Sequence, residues 1–199
     1  LWVAAWLVAR ALGWAEVTAY WAAAKLLVWV VVPVVMARLV WRVPVRAQLE
    51  FIGLRRRDLS RGLTWGAGAA VVWVALLAAV AALRGQHFAS VAVTGTFVYT
   101  VVLTPVFEEW LMRGYVLPGL VSSKLNFWLA NALTSLLFLV PHVIGWGFQG
   151  VLAANRASGL PLTIFVTSLV LGYVRHRSRS LPASMIVHAA NNFASLWWV

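Results

Sequence analysis

The sequence predicts an all-α, polytopic membrane protein of six to seven transmembrane helices in a single domain, residues 1–199. Three observations lead there. Of its 199 residues 63% are apolar and only 11% charged, a balance suited to lipid rather than to a water-soluble surface. The apolar residues fall in long runs instead of a two-residue alternation. Many of the 13 tryptophans, among them Trp14, Trp41, Trp65, Trp128 and the pair Trp197 and Trp198, stand near the ends of those runs, where an amphipathic ring suits the headgroup boundary.

Taken in order, the runs lie at about 17–40, 63–83, 97–120, 125–145, 160–174 and 181–198. The first closes at an arginine-rich segment, the second at Arg84, the fourth follows Lys124, and the fifth ends in "RHRSRS" at 175–180. Residues 1–13 offer a seventh span, interrupted by Arg10. The opening lacks a basic region ahead of its apolar run, so no cleaved signal peptide is expected. No internal repeat is visible.

The formal net charge of +11 does not indicate nucleic acid, because the arginines sit in short loops between apolar runs rather than on one folded face. They report topology instead. Segment 38–62 holds Arg38, Arg42, Arg46, Arg55, Arg56, Arg57 and Arg61, and 175–180 holds Arg175, Arg177 and Arg179; loops of the other parity hold Arg84 and Arg156. Both basic loops are expected to be cytoplasmic, in a bacterial cell membrane. Cysteine is absent, which excludes disulfides, thiolate metal sites and a thiol nucleophile.

The third run contains "PVFEEWLMRG", with Glu108, Glu109 and Arg113 near mid-membrane. Each such charge costs about 2.5–3.5 kcal/mol on insertion scales, so all three should face protein or water. Glu109 and Arg113 are spaced i, i+4 and can pair. Glu108 is turned about 100° away and is left over, an uncompensated carboxylate suited to taking and returning a proton. Two further pairs share helical faces at the same spacing: Phe138 with His142, and His188 with Asn192.

Several chemistries are open to these residues. Ser184 lies four residues before His188, but no GxSxG elbow accompanies it. Zinc could be held by Glu108, His142 and His188, although the helical HExxH arrangement is missing and three spans would have to contribute. A non-catalytic protein could use the same cluster to carry protons, bind a ligand or chaperone a partner.

Read together, EExxxR (Glu108, Glu109, Arg113), FxxxH (Phe138, His142) and HxxxN (His188, Asn192) resemble, in this order, the CAAX-protease and bacteriocin-processing (CPBP, ABI) family of intramembrane proteases, similar to the Ras-converting endopeptidases. The resemblance covers about 97–199; residues 1–96 supply compatible spans and the basic loop. Met112 stands where relatives often carry an aromatic residue. The resemblance implies a polar intramembrane cavity open to the cytoplasmic side and a glutamate-dependent endopeptidase without cofactor, zinc being the alternative. It implies Glu108 as general base, His142 sharing its water, and His188 with Asn192 donating to the oxyanion, while Glu109, Arg113 and Phe138 support the fold. The implied partners are membrane lipid and a peptide or protein substrate, not nucleic acid. One expectation is in tension with this: counted at about 1.5 Å per residue from the span ends, His142 lies about 25 Å deep and His188 about 10 Å, which requires a tilted or broken helix, with Pro141 as the expected break.

Overall fold

The computed structural model describes residues 1–197; the Trp197 side chain, Trp198 and Val199 lie outside the described residues. Helices α1 (Trp2–Ala11), α2 (Thr18–Leu39), α3 (Val45–Phe51) and α4 (Arg56–Leu83) form the N-terminal half. Helix α5 runs without a break over 95–122, followed by α6 (Phe127–Gln149), α7 (Leu152–Ala157), α8 (Leu160–Ser178) and α9 (Leu181–Trp197). No strand occurs among the described residues.

Three stretches are long and apolar enough to cross a membrane: Thr18–Leu39, Val45–Leu83 and Phe127–Gln149. Large apolar side chains such as Val71, Val72 and Leu83 point outward, as lipid contact requires. Helix α1 is a shorter apolar helix of 10 residues, about 15 Å long. It packs on α6, with Trp6 stacked on Phe148 at 5.5 Å. The predicted boundaries hold to a few residues except at α4, which begins at Arg56. Its arginines occupy the first helical turns rather than the loop, because charge at a membrane surface does not end a helix.

Three short π-helical segments, Leu26–Val31, Tyr99–Leu103 and Trp110–Val116, each precede a proline: Pro33, Pro105 and Pro118. A proline inside a helix has no N–H to donate, and its ring collides with the carbonyl four residues back. Widening the preceding turn relieves that collision: the N–H groups of Val32, Thr104 and Leu117 donate to carbonyls five residues back, on Leu27, Tyr99 and Met112. Pro141 behaves differently from expectation, because α6 continues through it without such a segment.

The closest helix pairing is α4 on α9. Gly62 and Gly66 permit it; a Cβ on Gly66 would stand 3.0 Å from the Ala183 Cα. Ala70, Leu171, Val174, Ala183 and Val187 fill the space around this contact.

Candidate active site

Both glutamates lie on the single α-helical stretch Thr104–Glu109, between two of the π segments of α5. The sequence-predicted pair forms: Arg113 Nη1 donates to Glu109 Oε1 at 2.7 Å, and both side chains are fully buried. Arg113 Nη2 also donates to the Ser168 carbonyl at 2.7 Å and to Ser168 Oγ at 2.6 Å. Its guanidinium carbon sits 4.9 Å from the centre of the Phe138 ring. One arginine thereby ties α5 to α6 and α8 through charge-assisted hydrogen bonds, while Arg113 Nε and Glu109 Oε2 are buried without a hydrogen-bond partner among the described residues.

Glu108 is not left over. Lys25, on α2, places Nζ 2.5 Å from Glu108 Oε1 and 3.4 Å from Thr104 Oγ1, and its ammonium lies 5.5 Å from the Tyr99 ring centre. The reading of an uncompensated carboxylate is therefore corrected: the charge is balanced by a residue from the N-terminal half. The sequence carried a signal for this, because a lysine seven residues inside an apolar span needs a carboxylate partner as much as a glutamate needs a cation.

His188 stands between the two glutamates. Nδ1 lies 2.9 Å from Glu109 Oε1, and Nε2 is 3.7 Å from Glu108 Oε2. A carboxylate oxygen only accepts, so Nδ1 donates to Glu109, and Nε2 faces Glu108. His142 Nδ1 likewise donates to the Phe138 carbonyl at 2.9 Å. The Phe138 ring contacts both imidazoles, with centroids 5.0 Å from His142 and 5.8 Å from His188. Asn192 Nδ2 donates to the Thr100 carbonyl at 2.9 Å, and its Oδ1 accepts from Asn191 at 3.3 Å.

The depth mismatch disappears for a reason other than a break at Pro141. Helix α9 begins beneath protein cover: Ser178, Ser180 and Leu181 are fully buried, and the Leu181 N–H donates to the Gly53 carbonyl at 3.3 Å. The Phe138 ring meets both imidazoles, so the packing of α6 against α9 brings His142 and His188 to one level of the bundle while α6 runs unbroken through Pro141.

Glu108, Lys25 and His142 share the wall of one cavity of about 780 Å³ with Tyr99, Thr100 and Trp29. His188 and Asn192 do not line it; they stand behind Glu108 and Thr100. Among the described residues no three His, Asp or Glu side chains are grouped as a metal ligand set. Lys25 engages one oxygen of Glu108, and Glu109 engages His188 Nδ1.

Residues 90–194 match the family model described as Type II CAAX prenyl endopeptidase Rce1-like. No curated protein and no solved structure matches the chain. The matched region spans more than half of the sequence and contains all three motifs, while Lys25 falls outside it. The chain belongs to the Rce1-like family of type II CAAX prenyl endopeptidases.

Proposed function

We propose that the chain is an intramembrane endopeptidase that hydrolyses a peptide bond of a peptide or protein substrate, with Glu108 as general base. In this reading α2, α4, α5, α6, α8 and α9 cross the bilayer and the cavity between them is the reaction chamber. The observation that carries it is Glu108 and His142 on one cavity wall, with Lys25 bonded to Glu108.

A water between Glu108 and His142 attacks the peptide carbonyl as Glu108 takes its proton. The carbonyl carbon becomes tetrahedral, the C–N bond breaks, and the proton passes to the departing amine. His142 Nε2, free because Nδ1 is held by Phe138, accepts from the same water. The oxyanion role of His188 and Asn192 asks each to exchange its partner, Glu109 or Thr100, for the substrate oxygen; a donor so placed is worth about 2.7–4 kcal/mol. Arg113, Glu109 and Phe138 position α5.

The test is a peptide library offered to the purified protein in detergent, with cleavage normalised to folded molecules. Wild type should cleave. Glu108→Gln, and the charge-balanced double variant Lys25→Met/Glu108→Gln, should not. Cleavage surviving in both variants overturns the assignment.

A further inference from the structure

The cavity opens at one identifiable end of the bundle. Arg10, Glu16, Thr96, Gln149 and Val151 all line it and are all exposed. They belong to the C-terminal end of α1 and the loop from it into α2, to the N-terminal end of α5, and to the C-terminal end of α6 with the residue just after it. Thr18 and Thr96 meet there, Oγ1 to Oγ1, at 3.4 Å. Since α2 and α6 are each continuous over 22 and 23 residues, their other ends lie about 33 Å away.

That far end holds the arginines. Arg61 Nη2 donates to the Arg177 carbonyl at 3.1 Å, and the His176 ring stacks on Phe127 at 3.9 Å, so segments 38–62, 122–127 and 175–181 form one surface. Of the 16 Lys and Arg, Lys25 and Arg113 are buried in the bundle, Arg10, Arg84 and Arg156 lie at the cavity end, and the remaining eleven lie at the opposite end. Two expectations from the sequence, basic loops in the cytoplasm and a cavity open to the cytoplasm, are thus incompatible in this fold. The charge asymmetry is the stronger guide, because positive charge in short loops sets which end stays in the cytoplasm.

We infer that the cavity opens on the extracytoplasmic face, and that the substrate is a peptide segment presented from that side: an exported peptide, or the outer loop or tail of a membrane protein. The substrate class rests on the peptidase reading; the side on which the cavity opens does not. A cytoplasmic protein tail, prenylated or not, would have no route to Glu108 from its own side. The walls add a chemical preference. Trp2, Trp6, Trp21 and Trp146 surround the approach, so apolar side chains flanking the cleaved bond are favoured over charged ones.

Two measurements test this on the full chain. Because no cysteine is native, single cysteines report side without background. Ser90→Cys and Ser158→Cys at the cavity end, and Ser60→Cys and Ser123→Cys at the arginine end, are all at exposed positions. A membrane-impermeant maleimide should label the first two in spheroplasts and the last two only in inverted vesicles. An impermeant fluorogenic peptide, chosen for cleavage by the detergent-solubilised enzyme, should be cleaved by spheroplasts and not by sealed inverted vesicles, and the cleavage should vanish in Glu108→Gln. The reverse labelling, or cleavage confined to inverted vesicles, overturns the inference. If the detergent-solubilised protein cleaves no peptide, the peptidase reading fails, and labelling alone decides where the cavity opens.

Discussion

Lys25 and Glu108, 83 residues apart in the chain, form a buried ion pair at 2.5 Å on the wall of the cavity. It joins the N-terminal half to the motif-bearing half at the proposed catalytic base. Removing either partner alone strands the other charge in a low-dielectric interior.

Lys25→Met should therefore destabilise the protein by about 3–5 kcal/mol, and Lys25→Met/Glu108→Gln should recover part of that loss. Melting curves in detergent for the two single variants and the double variant check this. Strictly additive losses would show that the pair carries no coupling.

Glu109→Gln should damage the fold before the chemistry. It leaves Arg113 without its carboxylate and takes the acceptor from His188 Nδ1, at a cost of about 3–5 kcal/mol. Expression yield and melting temperature should fall, and joint replacement of Glu109 and Arg113 by apolar residues should restore part of both. A stable but inactive Glu109→Gln would instead make Glu109 the base.

Per folded molecule, Glu108→Gln should lower peptidase activity by about 10² or more, the usual contribution of a positioned general base. Activity of Glu109→Gln, normalised in the same way, should fall less. The comparison is made on initial rates with the folded fraction measured by size exclusion.

At Gly172 an added Cβ would run into the side-chain amide of Asn131, which donates to the Leu169 carbonyl at 2.9 Å. Gly172→Ala should cost about 1–3 kcal/mol by overpacking the α6–α8 contact. Combined with Asn131→Ala, it should cost less than the sum of the two single changes, as read from melting temperatures.

Exhaustive chelation should leave peptidase activity intact, and metal analysis should find no stoichiometric zinc, if Glu108 and His142 activate water without a metal. Loss on chelation with recovery on zinc would assign Glu108, His142 and His188 as ligands after rearrangement.

The sequence by itself determined the features that repeat locally. Six apolar runs marked the long helices, and three stretches are long and apolar enough to cross a membrane. The i, i+4 spacing of Glu109 and Arg113 was enough to predict their bond, since a helix brings those positions together wherever it sits. The three motifs named the family for the same reason. What only the tertiary structure decided involves residues from separate helices. Lys25 reaches Glu108 because α2 packs beside α5, a neighbour relation that no local spacing encodes. His142 and His188 both meet the Phe138 ring because of how α6 and α9 pack, and counting along one helix cannot see that. The placing of the cavity at the end away from the arginines likewise follows from which helix ends meet, Thr18 with Thr96, and that is a property of the packed bundle rather than of any one span.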